Sequence, residues 1–299
     1  MISLDDFKKI RLEDKKIFDK YYEKYPPNHS DYVFTTIISW IDYGEYHFTE
    51  LDGNLLLYSN IDGTIRLRPP IGKHNKKVFE QILKLARSLK SDYPIGMIDE
   101  KTKKWINKKY PSLNIIPHRE YFEYVYKTKD LVELSGSKYA KIRNRLNKFE
   151  KTYDCSLEDI NDENQKEIRN FLRRWCLWKD CESDHVLKHE KDAVVYSIEK
   201  FFELNLSGIA LRIDGEIEAI AVYEKINPKT VVVHYEKASP DYDGIYKKIN
   251  NETAKKINKQ KIEYINRESD MGIPGLRKAK LSYRPDHMIK IYHISKGEI

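Results

Sequence analysis

Cysteine is scarce: Cys155, Cys176 and Cys181 are the whole complement. Three is too few, and of the wrong parity, for a disulfide framework, so a reducing cytoplasm is the expected setting. Long apolar runs are missing too, with none approaching the ~20 residues that span a bilayer. The opening stretch Met1–Arg11 turns charged almost at once, unlike a secretory leader. Contact with a membrane is therefore expected only at its surface. Cys176, Cys181, His185 and His189 are spaced C-x4-C-x3-H-x3-H and lack the usual C-x2-C of a zinc site. No metal site and no tightly bound cofactor are expected. Cys176, between Trp175 and Leu177, reads as a small apolar residue.

Hydrophobic residues make up 40% of the chain, and the 22 Tyr, 10 Phe and 4 Trp rule out a disordered composition. A length of 299 residues suits two domains of roughly 150 residues each. The net charge of +7 is modest, so its distribution matters more than its sum. Lys138–Lys151 holds six basic residues against Glu150 alone, and Lys247–Lys261 holds six lysines against Glu252.

The first half predicts a helix at Asp14–Tyr25 and an apolar segment at Ile37–Tyr43. Antiparallel strands follow around turns at Asp52-Gly53 and Asp62-Gly63, then an amphipathic helix at Asn75–Lys90. A buried strand at Ile95–Ile98, a helix at Lys101–Lys109 and a strand at Tyr121–Tyr126 close this half. After Thr128 the pattern restarts. Helices are predicted at Ser137–Tyr153, Asn161–Trp178 and Lys188–Leu204. A hairpin, Gly208–Ile213 with Ile217–Glu224, turns at Asp214-Gly215. A strand at Thr230–Lys237, a helix at Gly244–Lys259 and a strand at Ile262–Asn266 come next, before a short helix at Ile273–Leu281 and a last strand at His287–Ile294. This is the element order of a GNAT acyltransferase. The expected class is α/β (α+β): two tandem GNAT-like domains, residues 1–130 and 131–299, each a mixed, largely antiparallel sheet flanked by helices.

Chemistry concentrates in Asn266–Pro285. A strand ends in an acidic loop, and Pro274-Gly275 opens a short helix. Glu268 and Asp270 suit an ammonium group or a proton, and Arg277 and Lys280 suit phosphate or a developing oxyanion; equally, the two carboxylates cap the helix and pair with lysines. On Thr230–Lys237, alternation puts His234 and Glu236 on one face, as an acid–base pair or with the His satisfied by a cross-strand neighbour. Lys138, Lys141, Arg145 and Lys148 line one side of a helix, either as a stripe for RNA or an anionic membrane surface or as an ordinary solvated face. A coenzyme A user should open the helix after the central strand with several glycines. Here Ala238–Ile245 has one glycine and two aspartates, which repel pyrophosphate.

At these motifs the chain resembles the C-terminal domain family of phosphatidylglycerol lysyltransferases. The resemblance covers nearly the whole chain. It is carried by Leu134-Ser135-Gly136, by Lys141, Arg143 and Asn144 with the seam to Phe149, by Trp175-Cys176, Glu190, Glu236-Lys237 and Gly244, and above all by Asn266–Pro285. It implies a tandem GNAT fold and aminoacyl transfer from aminoacyl-tRNA to a lipid hydroxyl. The membrane flippase segment of full synthases is not in the sequence, and the lysine and phosphatidylglycerol specificities are not carried over.

The leading expectation is an aminoacyl-tRNA-dependent aminoacyltransferase whose acceptor is a phosphatidylglycerol-like lipid or another hydroxyl or amine. Catalytic roles fall to Arg277, Lys280, Glu236 and His234. Substrate contacts fall to Asn266, Arg267, Glu268, Asp270, Lys237, Lys141, Arg143, Asn144 and Arg145, with the tRNA acceptor arm or anionic headgroups on the basic stripe. An acyl-CoA-dependent N-acyltransferase and a non-catalytic module for RNA or an anionic surface are the competing readings.

Overall fold

Three Asp-Gly pairs set the framework. Asp52-Gly53, Asp62-Gly63 and Asp214-Gly215 all adopt positive φ, the geometry of tight hairpin turns. In the computed structural model, which describes residues 2–183 and 185–299, the first two turns link β2 (His47–Leu51), β3 (Asn54–Ile61) and β4 (Thr64–Leu67). With β1 (Lys8–Lys9) these pair antiparallel, and β4 then pairs parallel with β5 (Ile95–Ile98). A short β6 (Ile115–Pro117) completes this run. Helices α1 (Lys15–Tyr22), α2 (Phe34–Ser39), α3 (Ile41–Gly44), α4 (Lys76–Ser88) and α5 (Glu100–Lys109) belong to the same unit. Asn75 caps α4 by accepting from the N–H groups of Lys77 and Val78. The helix buries Val78, Phe79, Ile82, Leu83, Leu85 and Ala86 in the unit's main apolar core.

The second sheet contains β7 (Glu123–Lys127), β8 (Cys155–Asp159), β9 (Ser207–Ile213), β10 (Glu216–Asn227), β11 (Thr230–Ala238), β12 (Tyr264–Ser269) and β13 (His287–Ile289). Their spatial order is β13-β7-β12-β11-β10-β9-β8. Strands β9, β10 and β11 form an antiparallel meander, while β11 and β12 are parallel. A parallel pair needs a crossover, and α10 (Ile245–Asn258) supplies it. The other helices are α6 (Thr128–Glu133), α7 (Ala140–Thr152), α8 (Gln165–Lys179), α9 (His185–Glu199) and α11 (Pro274–Ser282).

The start of α10 is fixed by one residue. Gly244 has φ +100°, and a Cβ there would lie 3.0 Å from the Arg145 carbonyl oxygen and 3.1 Å from Phe149 Cβ. Only glycine permits both that backbone and that approach to α7.

Three expectations are corrected. The strand placed at Ile262–Asn266 runs over Tyr264–Ser269, so Arg267 and Glu268 are strand residues and the loop begins at Asp270. The single last strand, His287–Ile294, is two short ones that join different sheets: β13 neighbours β7, whereas β14 (Tyr292–Ile294) lies between β5 and β6. As a result the units are not residues 1–130 and 131–299. They are Met1–Glu123 with Ile289–Ile299, and Tyr124–Met288, because β14 hydrogen-bonds antiparallel to β5 and β6 of the first sheet.

Candidate functional site

The polar residues of β11, β12 and α11 meet at one end of the second unit's sheet. Three positive-φ residues cluster there, Glu268 (φ 57°), Met271 (φ 49°) and Gly272 (φ 76°). Outside glycine such backbone costs energy and is concentrated at functional sites. Local bonds hold the bend. Asn266, fully buried, accepts from the Glu268 N–H at 2.8 Å, and Asp270 accepts from the Gly272 N–H at 2.9 Å.

Asp270 is itself fully buried. Arg277 grips it with two parallel bonds, Nε to Oδ2 and Nη2 to Oδ1, both 2.9 Å, and the Tyr124 hydroxyl donates to Oδ2 at 2.5 Å. Such a fork is among the stronger polar contacts a protein makes, and it holds the Arg277 pKa above its ordinary value. The expected pair, Asp270 for an ammonium and Arg277 for the ester, is thus joined internally, although 35% of the Arg277 side chain stays accessible. Lys280 differs more from its expected role. Its ammonium, buried, donates to the carbonyl oxygens of Arg267, Glu268 and Ser269 at 2.5, 3.2 and 2.5 Å. With its three N–H bonds so taken, Lys280 clamps the end of β12 to α11 rather than facing a substrate.

His234 and Glu236 do not form the acid–base pair that alternation suggested. His234 is wedged between Glu224 and Glu268, 2.9 Å from each. The two carboxylates outweigh the burial of the ring and push its pKa up to about 9, so it is an imidazolium at neutral pH and a poor base. The cross-strand reading of His234 is the one the geometry fits. Glu236 instead pairs with Arg267 and accepts from Asn250 at 2.9 Å.

Arg267 is the centre of the most electrostatically unusual cluster. Its guanidinium stacks over the rings of Tyr283 (4.9 Å) and Tyr126 (5.9 Å), and its buried Nη1 has no hydrogen-bond partner among the described residues. Lys247, in the first turn of α10, has its ammonium 4.7 Å over Tyr283. Burial first, then the nearby Arg267 and Arg145 cations, lower its pKa to about 8. In the sequence Lys247 is one lysine of a basic run, and nothing local marks Tyr126, Tyr283 or Asn250 as partners of Arg267. Gly244 was the available signal, because it fixes where α10 begins.

The remaining expected residues separate into inward and outward sets. Lys237 is buried against Glu190 (2.6 Å) and over Trp175 (4.2 Å). Arg143 donates to the carbonyls of Leu134 and Gly136 at 2.5 and 2.7 Å, so it fixes a turn instead of facing outward. Lys141, Asn144, Arg145 and Lys148 are exposed, with Asp243 lying 3.9 and 3.2 Å from Arg145 and Lys148. Cys176, Cys181, His185 and His189 do not come together as one ligand cluster among the described residues, although the two imidazoles lie 3.3 Å apart.

Residues 22–295 match the family described as phosphatidylglycerol lysyltransferase, C-terminal. The chain belongs to that family. It is similar to a conserved protein of unknown function from Bacteroides thetaiotaomicron VPI-5482, with 30% identity, coverage of 97% and 98% of the two chains and a TM-score of 0.89. L-PGS from Bacillus licheniformis shares the fold at 14% identity, with a TM-score of 0.64 over 95% and 92% of the chains. So does a tandem GNAT protein from the clavulanic acid biosynthesis pathway, at 8% identity and a TM-score of 0.51 over 97% and 98%. The fold is therefore the tandem GNAT type. An uncharacterized protein of Mycoplasmoides gallisepticum is 27% identical over 191 residues, which span 63% of this chain and 60% of that relative. The family model takes its name from the C-terminal part of a lysyltransferase, so the chain is related to the acyl and aminoacyl transferases. No helix among the described residues is long and apolar enough to cross a membrane.

Proposed function

We propose that the protein transfers an aminoacyl group from aminoacyl-tRNA to a hydroxyl or amine acceptor, with a phosphatidylglycerol-like lipid the first acceptor to try. The observation that carries this reading is the buried Arg267 Nη1, a charged donor without an acceptor among the described residues, beside a lysine whose pKa is lowered to about 8. Unmatched buried donors are costly, and a carbonyl that gains negative charge during acyl transfer would match this one. An aminoacyl ester is already activated, so positioning, oxyanion stabilisation and one proton acceptor suffice.

In this scheme the acceptor oxygen or nitrogen attacks the ester carbonyl carbon, and the carbonyl electron pair moves onto oxygen, which Arg267 stabilises. The acceptor's proton passes to neutral Lys247. The tetrahedral intermediate collapses, the bond to the ribose oxygen breaks, and Lys247 returns the proton to that oxygen. Glu236 and Asn250 hold Arg267 in place. In the same scheme Arg277, fixed by Asp270 and partly exposed, contacts a terminal phosphate, and the Lys138–Lys148 face meets the acceptor arm or headgroups. Coenzyme A fits less well, because Asp241 and Asp243 precede the single Gly244 where α10 opens.

The test is loss of radiolabelled ester from pooled charged tRNAs, with and without phosphatidylglycerol vesicles. Arg267→Ala is expected to lower turnover by roughly 100- to 1,000-fold, the usual cost of losing one oxyanion donor. Ester loss unchanged in Arg267→Ala, or absent with every charged tRNA, overturns the assignment.

A further inference from the structure

The first unit carries a second polar cluster that the transfer chemistry does not use. His29 is only 2% exposed, yet neither ring nitrogen has a hydrogen-bond partner among the described residues. The nearest carboxylate oxygen, Asp31 Oδ2, stands 3.6 Å from Nδ1, beyond hydrogen-bond reach. Such burial without a hydrogen bond is rare, because the desolvated nitrogens lose their water and keep only the longer ion-pair contact with Asp31 in return. Glu123 completes the group. It is 1% exposed, and its Oε1 is held by the Ser30 N–H and hydroxyl at 2.8 and 2.5 Å. One donor atom each from His29, Asp31 and Glu123 lie within 4.8 Å of one another.

We propose that His29, Asp31 and Glu123 bind a divalent first-row transition-metal ion, with zinc as the reference ion. One imidazole and two carboxylates form a mixed nitrogen and oxygen donor set suited to zinc or manganese and poorly suited to magnesium or calcium. Around a tetrahedral zinc the donors lie about 3.3 Å apart, so the cluster must contract. Asp31, its side chain 20% exposed, has the freedom to do so, while Ser30 fixes Glu123. His29 also lines a cavity of about 200 Å³ with Tyr32, Asp99 and Thr102. That cavity reaches the site from the His29 side, while Asp31 and Glu123 are not among its lining residues. All three residues belong to the first unit, and metal binding by them does not depend on the transfer chemistry.

The test uses the full chain, stripped with chelator and dialysed, titrated with zinc chloride by calorimetry. One zinc per chain is expected, and His29→Gln should weaken binding by more than about 100-fold. A His185→Ala/His189→Ala variant removes the exposed imidazole pair and is expected to bind as the parent does. Amide exchange of β3 and β5 monitors folding of the first unit, and if His29→Gln perturbs it, Asp31→Asn, at a partly exposed position, decides with the same expected loss. No zinc binding by the parent chain overturns the proposal. So does binding that survives the deciding ligand variant, and so does binding lost with His185 and His189.

Discussion

At the scale of single residues, two nitrogens of the second unit should titrate in opposite senses. His234 is held protonated by Glu224 and Glu268, with its pKa raised to about 9. A raised folded pKa stabilises the folded state fully below the unfolded value near 6.5, and that contribution fades as pH rises through about 9. Unfolding midpoints between pH 6 and 10 should therefore fall for the parent chain, while His234→Gln, which carries no titrating ring, should show a flatter profile. Lys247 moves the other way, to about 8. If it accepts the proton, kcat/KM should rise with pH and level off above about 8. Lys247→Arg keeps the charge and should abolish that limb. Lys280 is expected to act on stability and not on the pH profile. Lys280→Met strips three carbonyls of their donor, and a loss of about 2–4 kcal/mol in urea denaturation is the expected result.

At the scale of elements, periodic segments were legible and non-local ones were not. Helix α4 declares itself through Val78, Phe79, Ile82 and Leu83 and a capping Asn75, all local signals. The hairpins follow from Asp-Gly pairs for the same reason. Strands β6 and β14, three residues each, carry too little alternation to be read without their partners. The site divides likewise. Asn266–Pro285 stands out as a polar loop before a short helix, so the region was legible. The pairing of Arg267 with Glu236, the clamp of Lys280 on backbone and the enclosure of His234 arise from contacts between strands and helices distant in sequence. Residue types nominate such partners, but only the fold chooses among them. Gly244 shows how one position governs an element. Gly244→Ala adds strain at φ +100° and contacts near 3 Å with α7, so a stability loss of about 1–3 kcal/mol is expected in thermal unfolding. Because α10 carries Lys247 and Asn250, activity should fall by more than the unfolded fraction explains.

At the scale of the molecule, the two units do not follow the order of the chain. Residues after Met288 return to the first sheet, and Ile294 and Tyr292 are buried between β5 and β6. Ending the chain at Met288 should therefore damage the first unit far more than the second, although the cut adjoins the second in sequence. Hydrogen exchange would check this: amides of β5 should lose protection while those of β10 keep it. A linker joining Glu123 directly to Ile289 should give a folded first unit, whereas residues 1–130 alone should not.

This placement of β14 also sets a timetable for assembly. On a ribosome, every residue of the second unit emerges before the strand that the first sheet awaits. Until β14 is made, the first sheet keeps strand edges open, and exposed edges invite pairing with other chains. The protein's vulnerable interval lasts until β14 is made, and it lies in the sheet whose other strands were all made well before.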